Sequence, residues 1–538
     1  MALTISLLLA VGALTLLYLR AKSSQNANST EKPLLKLPLI GDLHSSPIEK
    51  PLVNWDDWAK QHGPITVPKL FGIVPIVVLN SYDAVVELFS RRSQWYSNRP
   101  ASVSMEMITG AEPGRSRFTL MHDYDDHLKL HHRILSPSLG APAASKYQPL
   151  MELEAKQLLF DLLATLRDAP DGETISTDTI YPLLERTQSS VILALHYGLR
   201  IPRFEEPILH EVIHTQTQVT HLAANPQLPD LMPFLRHLPA FLSPWQRHAN
   251  KLFASQVDLY MRLFKHGRDT PGWNATKQAI ATAEKHAPSN SPVPDLDLAF
   301  TLATSIQGGM ETSPRQLLWL FIAAIHNPSF LQKAHELLDA VVGRNRLPTF
   351  ADRSKLTYID AVTHELFRWR PISPGSIPRR ADRADSYNGV TIKKGVTVMA
   401  NAWAIGRDEK VFDPSLGDPQ DFIPERWIRA DDDRLRTDLP LPVFGQGRRI
   451  CQGKRVATDG TFMQIAHLLW AFDVEPLQDG EEVDPWAMVV VGFMTMPREV
   501  RFKLKPRGEW VKRVVSEMWE GAEKGLDKVM GVADDVEK

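Results

Sequence analysis

The stretch FGQGRRICQG, residues 444–453, contains Cys451, the single cysteine in a chain of 538 residues. One cysteine forms no intrachain disulfide and builds no Cys-based zinc or iron–sulfur cage. The remaining possibilities are that Cys451 is a small buried apolar residue, a nucleophile or an axial ligand of a haem iron. The loop has a further alternative, because glycine-rich loops with arginine also bind phosphates. The glycines allow a tight turn close to a flat cofactor, and the arginines offer charge to carboxylates such as haem propionates. These neighbours favour the haem ligand.

Every fixed position of the pattern Phe-x-x-Gly-x-Arg-x-Cys-x-Gly is filled between Phe444 and Gly453. This segment resembles the haem-binding loop of the cytochrome P450 family. The resemblance implies haem b as the cofactor, with Cys451 as its axial ligand. It also implies that Arg449 binds a propionate and that Phe444 and Gly445 lie against the haem on the cysteine side.

A second motif, Glu365-Leu366-Phe367-Arg368, places a carboxylate and a guanidinium on one helix face. Alone it is a common surface ion pair, but the apolar helix around it predicts burial and a third partner. The segment 422–427, Phe-Ile-Pro-Glu-Arg-Trp, resembles the P450 segment whose arginine joins such a pair. By that resemblance Glu365, Arg368 and Arg426 form a buried structural triad that helps to retain the haem.

A third motif, Gly-Gly-Met-Glu-Thr at residues 308–312, lies in an apolar helical stretch. Each mid-helix glycine costs roughly 1 kcal/mol, which indicates a close approach or a local bulge. The motif resembles the distal helix of P450s, which implies that Thr312 hydrogen-bonds dioxygen and that Glu311 brings protons from solvent. The alternative is a helix end, with Ser313 capping the next helix and Pro314 first in it.

Further candidates for the haem propionates come from two other segments. Arg379 resembles a position where the family often places His or Arg. Residues 124–133 resemble the helix that usually carries Trp-x-x-x-Arg, but this sequence has Leu128 and His132 at those positions. Lys129 and His132 are then the weaker propionate candidates.

The N-terminus differs from the rest of the chain. The run from Ala2 to Leu19 carries no charge and is near the minimum length for spanning a bilayer, and Arg20 and Lys22 follow at once. This pattern predicts an uncleaved signal anchor with the remaining chain in the cytosol. A cleaved signal peptide and a soluble buried helix are the alternatives. The family resemblance places the anchor in the endoplasmic reticulum membrane, as a single-pass span.

The amino-acid composition restricts the classes of fold and function that the chain can have. The apolar fraction of 43% is ordinary for a globular protein, and a net charge of -2 gives no nucleic-acid footprint. Periodicity predicts a mainly helical fold with small β-sheets, including two strands within 65–80 and short strands within 387–403. The predicted divisions are a membrane anchor (1–22), a linker with a proline hinge (23–37), a P450 catalytic domain (38–510) and a charged C-terminal tail (511–538) that forms an amphipathic surface helix.

The resemblance implies a haem-thiolate monooxygenase that inserts one oxygen atom from O2 into a hydrophobic small molecule. Electrons are expected from NADPH through a separate P450 reductase, with cytochrome b5 as an additional candidate donor. Basic residues near the cysteine loop, Arg448, Lys454 and Arg455, are candidates for meeting an acidic reductase surface. Residues 388–405 resemble fungal microsomal P450s, many of which act in secondary-metabolite pathways. The alternatives are a reductase-independent isomerase or dehydratase, which an intact Glu311-Thr312 pair disfavours, and a non-catalytic haem-binding membrane scaffold.

Residues of the substrate pocket are predicted from their register with the three motifs. They are mostly apolar, which predicts a hydrophobic ligand. The candidates are Ala303, Thr304 and Gln307, the segment 372–377, and the segment 491–495.

Overall fold

The computed structural model describes residues 57–531, except 58, 71–73, 113, 226, 288–289, 479–482 and 492. The predicted membrane anchor and the linker with its hinge lie outside the described residues. Within the described part of the chain, no helix is both long enough and apolar enough to cross a membrane.

Helices make up most of the fold. In chain order they are α1 (Tyr82–Val85), α2 (Val103–Met107), α3 (Asp126–Leu139), α4 (Ala141–Arg167), α5 (Thr177–Tyr197), α6 (Pro207–Ala224), α7 (Leu228–Leu231), α8 (Pro244–Asp269), α9 (Ala275–His286), α10 (Asp295–Gly309), α11 (Thr312–His326), α12 (Pro328–Val341), α13 (Thr357–Trp369), α14 (Ala402–Ile405), α15 (Lys454–Ala471), α16 (Glu509–Glu520) and α17 (Leu526–Val529).

Two helices form the centre of the molecule because they are buried on almost every face. From Ser313 to Ala324, every residue of α11 is buried, and α15 is buried throughout from Thr458 to Ala471. A helix that is apolar all round needs neighbours on all sides, and α4, α5, α12 and α13 supply them. The two central helices therefore fix the positions of the segments that precede them, the Gly-Gly-Met-Glu-Thr motif and the cysteine loop.

Four small sheets lie around the helices. The first has the order β1 (Ile65–Thr66), β3 (Val74–Leu79), β8 (Thr397–Ala400) and β5 (Arg379–Arg380), and β2 (Lys69–Leu70) also pairs with β3. The others are β4 (Thr174–Ser176) with β12 (Arg501–Pro506) and β9 (Phe472–Pro476), the hairpin of β6 (Asp385–Tyr387) and β7 (Val390–Ile392), and the hairpin of β10 (Met488–Val491) and β11 (Met494–Pro497).

The first sheet brings a distant part of the chain to the site. Strand β3 runs parallel to β8, with Val77 opposite Val398, and β5 pairs antiparallel with β8. Arg379 is therefore fixed by a strand pairing beside the N-terminal part of the described chain.

The predicted element types are confirmed, with one difference in detail. Residues 65–80 form three strands rather than two, because Pro68 separates β1 from a further short strand, β2. The short strands predicted within 387–403 are present as β7 and β8.

The amphipathic helix predicted near the C-terminus is present as α16, and its apolar face packs against α4. Val511, Val514 and Val515 are fully buried, and the ring of Trp510 meets that of Trp470 edge-on at 4.7 Å. The charged residues lie on the opposite face, as a surface helix requires. The tail therefore contributes to the same hydrophobic core as the helices before it.

Replacing Val515 by alanine tests this packing. Removing two buried methyl groups should lower the free energy of unfolding by about 1–3 kcal/mol, measured by chemical denaturation. Val490→Ala is the control, because Val490 is 52% exposed, and its effect should stay below about 0.5 kcal/mol. Equal effects of the two substitutions would show that α16 does not stabilise the core.

Candidate active site

The cysteine loop is a tight turn held by its own backbone. The N–H of Cys451 donates to the carbonyl of Phe444 at 2.8 Å, and Gly445 and Gly447 adopt positive φ angles of 71° and 64°. A Cβ on Gly447 would clash with the carbonyl oxygen of Phe89. Only glycine fits there, because both the φ angle and the contact exclude a side chain.

Cys451 faces a cavity of about 310 Å³. The residue is exposed, although neighbouring protein atoms partly desolvate the thiol. Burial raises the pKa of the thiol, and the backbone N–H of Gly453 and the charge of Lys454 oppose this effect. The start of α15 directly after the loop also favours a negative charge at this position.

Phe444 and Gly445 line the same cavity. The ring of Phe444 meets that of Phe367 on α13 at 5.0 Å between centroids. This contact connects the cysteine loop to the helix that carries Glu365 and Arg368.

The junction of α10 and α11 forms another part of the cavity wall. Gly308 and Thr312 line the cavity, and the Thr312 hydroxyl donates to the Gly308 carbonyl at 2.7 Å. A Cβ on Gly308 would meet no atom within 4 Å, whereas one on Gly309 would approach Cδ1 of Ile192 to 2.7 Å. The first glycine thus leaves the cavity open, and the second allows α10 to pack closely on α5.

The chain departs from regular helix between Gly309 and Thr312, so the helix-end alternative describes the backbone here. Glu311 rather than Ser313 occupies the cap position of α11, and it makes no side-chain capping bond. Glu311 does not line the cavity. Its buried carboxylate instead pairs with Arg315 one turn later, at 2.7 Å.

Positive charge is concentrated at one edge of the cavity. Arg379 and Arg449 line it, as does Arg99, which the sequence motifs did not indicate. All three side chains are buried, at 3%, 9% and 4% exposure respectively.

Backbone carbonyls hold these guanidinium groups in place. Arg449 donates to the carbonyls of Ser97 at 2.7 Å, Thr119 at 3.2 Å and His122. Arg99 donates to those of Leu120, Ile377 and Pro378. Arg379 donates to those of Gln446 at 2.5 Å and Tyr96 at 3.4 Å, and it stacks on the ring of Phe89.

Burial is the largest cause of unusual pKa values in this group. It lowers the pKa of Arg379 to about 9, aided by the charge of Arg449, and the pKa of Arg449 to about 10. The pKa of Arg99 also lies well below its ordinary value, through burial and the charges of Arg449 and Arg379. Asp123 opposes this effect at Arg99 and Arg449, and Tyr124 and Asp125 also oppose it at Arg449. The positive charge of these three guanidinium groups is therefore only partly balanced by acidic residues. A ligand with two carboxylates would supply further negative charge.

The two weaker propionate candidates lie in different environments. His132 lines the cavity, and burial together with the charges of Arg449 and Arg99 lowers its pKa to about 4. It is neutral at physiological pH and can act there as a hydrogen-bonding group. Lys129 lies on the surface of α3 at a salt-bridge distance of 2.8 Å from Asp126 and does not line the cavity.

Glu365 is the centre of a buried network on the cysteine side. It accepts two hydrogen bonds from Arg368, at 2.6 and 2.7 Å, and others from the N–H of Ile423 at 2.8 Å and the indole of Trp427 at 2.9 Å. Nε of Arg426 lies 3.9 Å from Glu365, and the three charged side chains are at most 1% exposed. The predicted third partner is thus near, although Arg368 and two neutral donors make the direct bonds.

The predicted pocket wall is present in part. Thr304 and Gln307 line the cavity, and so do Ile372, Ser373, Ser376 and Ile377. Ala303 and Thr495 are buried and do not line the cavity, and among the described residues of the segment 491–495 Phe493 lines it.

A cysteine facing a cavity, an open distal wall and a set of buried cations together fit a haem with two propionates. Gly308 leaves space in the cavity, Cys451 offers a soft ligand, and Arg99, Arg379 and Arg449 offer the counter-charge.

Comparison with known proteins agrees with this arrangement. Residues 32–504 match the family model named Cytochrome P450. The chain is 30% identical to cytochrome P450 monooxygenase aneD of Aspergillus aculeatus over 499 residues, covering 92% of this chain and 91% of the relative. It is also 30% identical to cytochrome P450 monooxygenase astF of Aspergillus oryzae, over 99% of this chain and 96% of the relative.

The fold agrees as well. A zebra fish cytochrome P450 solved with progesterone superposes with a TM-score of 0.68 at 23% sequence identity, covering 85% of this chain and 99% of that one. On the match of its sequence over most of its length, the chain belongs to the cytochrome P450 family and is a P450 monooxygenase.

Proposed function

We propose that this P450 monooxygenase inserts one oxygen atom from O2 into a hydrophobic small molecule in fungal secondary metabolism. The observation that carries the proposal is that Cys451, Gly308 and Thr312 line one and the same cavity.

A haem held by Cys451 would supply the oxygen-activating chemistry that thiolate ligation favours. Arg99, Arg379 and Arg449 would hold its propionates, and His132 would donate or accept a further hydrogen bond beside them. Lys129 contributes least, because it is paired with Asp126 outside the cavity. Phe444 and Gly445 cover the cysteine side.

Thr312 accepts a proton at the distal wall of the cavity and passes it on. Its hydroxyl donates to Gly308, so its lone pairs are left to accept a hydrogen bond within the cavity. Glu311 is adjacent in sequence and supplies the proton that this position passes on. The Glu311-Thr312 pair is needed to reduce dioxygen, which favours monooxygenation over a reductase-independent isomerase or a haem-binding scaffold.

The substrate side of the cavity combines apolar and small polar groups. Ile372, Ile377 and Phe493 provide apolar surface, and Thr304 and Gln307 provide a few polar groups that orient a substrate. Apolar walls around few polar groups are typical of sites for hydrophobic small molecules.

The electron donor is proposed to be NADPH–cytochrome P450 reductase, with cytochrome b5 as an additional donor. Arg448 and Arg455 are exposed beside the cysteine loop, where an acidic partner surface would be attracted. The proposed arrangement is a single-pass endoplasmic reticulum anchor (1–22), a hinge (23–37), a cytosolic catalytic domain (38–510) and a C-terminal tail (511–538).

The role of Cys451 as haem ligand is tested by the absorption spectrum of the protein. The reduced protein with carbon monoxide should show the absorption maximum that gives the family its name, since that maximum requires thiolate ligation. Cys451→Ala should lose this maximum and the NADPH-dependent activity. A well-folded parent protein whose maximum lies at the shorter wavelength of a histidine-ligated haem would contradict the assignment.

The role of Thr312 is tested by measuring how much of the NADPH oxidised is lost to peroxide. Thr312→Ala should retain the haem but raise the peroxide released per NADPH by on the order of tenfold, because proton delivery is impaired. Thr312→Ser is the matched control, since it keeps the hydroxyl. The measurement is NADPH oxidation and peroxide formation with purified reductase, and an unchanged ratio in Thr312→Ala would refute the relay.

The structural role of Glu365 is tested by measuring how much haem the protein retains. Glu365→Gln leaves Arg368 buried without its counter-charge, which should cost about 3–5 kcal/mol and lower the haem bound per polypeptide. Glu517→Gln is the control, because Glu517 lies in an exposed pair with Arg513. Full haem occupancy and unchanged stability in Glu365→Gln would show that the network does not support the site.

A further inference from the structure

A row of ionisable side chains lies behind the distal wall, where α5 packs against α11. It consists of Tyr181 and Glu185 on α5 and Arg315 and Glu311 on α11. Glu185, Arg315 and Glu311 are 7%, 8% and 6% exposed, whereas Tyr181 is only partly buried. The row therefore extends from a side chain that reaches solvent to the residue next to Thr312.

Arg315 interacts with both ends of this row. Its Nη1 bonds to the Glu311 carboxylate at 2.7 Å, and its guanidinium lies over the Tyr181 ring at 5.2 Å. The Tyr181 hydroxyl donates to Glu185 at 2.9 Å. Nε of Arg315 is buried and has no hydrogen-bond partner among the described residues, so one donor remains for a second acceptor.

The charges in the row do not balance if both carboxyl groups are ionised. Two carboxylates would face one guanidinium in a region largely closed to water, which is unfavourable. Burial raises the pKa of Glu185, and the charge of Glu311 adds to this, while the Tyr181 bond and the charge of Arg315 oppose it. The cluster is therefore suited to keep one proton.

We propose that Glu185 stores this proton and re-protonates Glu311 after each delivery towards Thr312. The inference rests on the proposed function, in which Glu311 and Thr312 supply protons to the cavity. Glu185 is a positioning residue, because it acts through Glu311.

The proton and charge balance of the step is simple. One proton leaves the Glu185 carboxyl and arrives on the Glu311 carboxylate, and no electrons move. Arg315 turns from Glu311 to the newly ionised Glu185, using its unpartnered donor. Glu185 then regains a proton from solvent at the Tyr181 end of the row.

The stored proton is tested by infrared spectroscopy of the substrate-free protein. The parent should show a carbonyl band of a protonated carboxylic acid that shifts in D2O. Glu185→Gln should remove this band, and the control Glu336→Gln should keep it, because Glu336 is exposed on α12. A spectrum unchanged by Glu185→Gln would overturn the proposal.

The proton supply is tested by turnover with purified reductase and NADPH. Glu185→Gln should raise both the peroxide released per NADPH and the solvent isotope effect on NADPH oxidation by roughly threefold or more. Glu185→Asp should restore most of the parent values, and Glu336→Gln should match the parent. Unchanged values in Glu185→Gln, or a loss of haem content without a change in isotope effect, would overturn the proposal.

The same assay separates this inference from the proposed function. If Thr312→Ala also leaves peroxide release unchanged, the Glu311-Thr312 relay itself fails. If Thr312→Ala uncouples turnover and Glu185→Gln does not, the role of Glu185 alone is refuted.

Discussion

The constraint on which the site depends is buried positive charge at one edge of the cavity. Arg99, Arg379 and Arg449 come from three distant parts of the chain, and each donates to backbone carbonyls rather than to a carboxylate. These bonds draw the segments 96–99, 119–122, 377–379 and 446–449 together. Burial lowers the pKa values of Arg379 and Arg449, so a ligand that carries negative groups would be stabilised beside them.

The cysteine side and the distal side have separate supports. Glu365 collects four hydrogen bonds from α13 and the segment around Trp427, and the contact of Phe367 with Phe444 extends that rigid region to the cysteine loop. On the distal side, Gln316 on α11 donates to the carbonyls of Leu366 and Arg370 at the end of α13. The cysteine loop and helix α11 are thus both in contact with α13.

Local sequence patterns predicted the features that need only neighbouring residues. The glycine positions of the cysteine loop, the Glu365–Arg368 pair and the helical setting of Gly308 and Gly309 follow from steric requirements and from helix periodicity. Features that arise from tertiary packing were not predictable. Arg99 stands in no motif, and its role appears only when the loop before α2 folds against the segment 377–378.

Tertiary packing also decides which of two nearby residues on one helix faces the cavity, and which buried side chains interact across helices. Lys129 and His132 were equal candidates in sequence, and only the packing of α3 turns His132 to the cavity and Lys129 to solvent. The pairing of Glu311 with Arg315 follows helix spacing, but its link to Tyr181 and Glu185 requires the contact of α11 with α5.

The central claim is that Cys451 binds a haem iron in the cavity that these residues surround. X-ray absorption at the iron edge of the purified ferric protein tests it most directly, because sulfur and lighter neighbours scatter differently. The account predicts one sulfur atom in the first coordination shell of the parent protein and none in Cys451→Ala. A first shell of only nitrogen and oxygen atoms in the fully haem-loaded parent would contradict it.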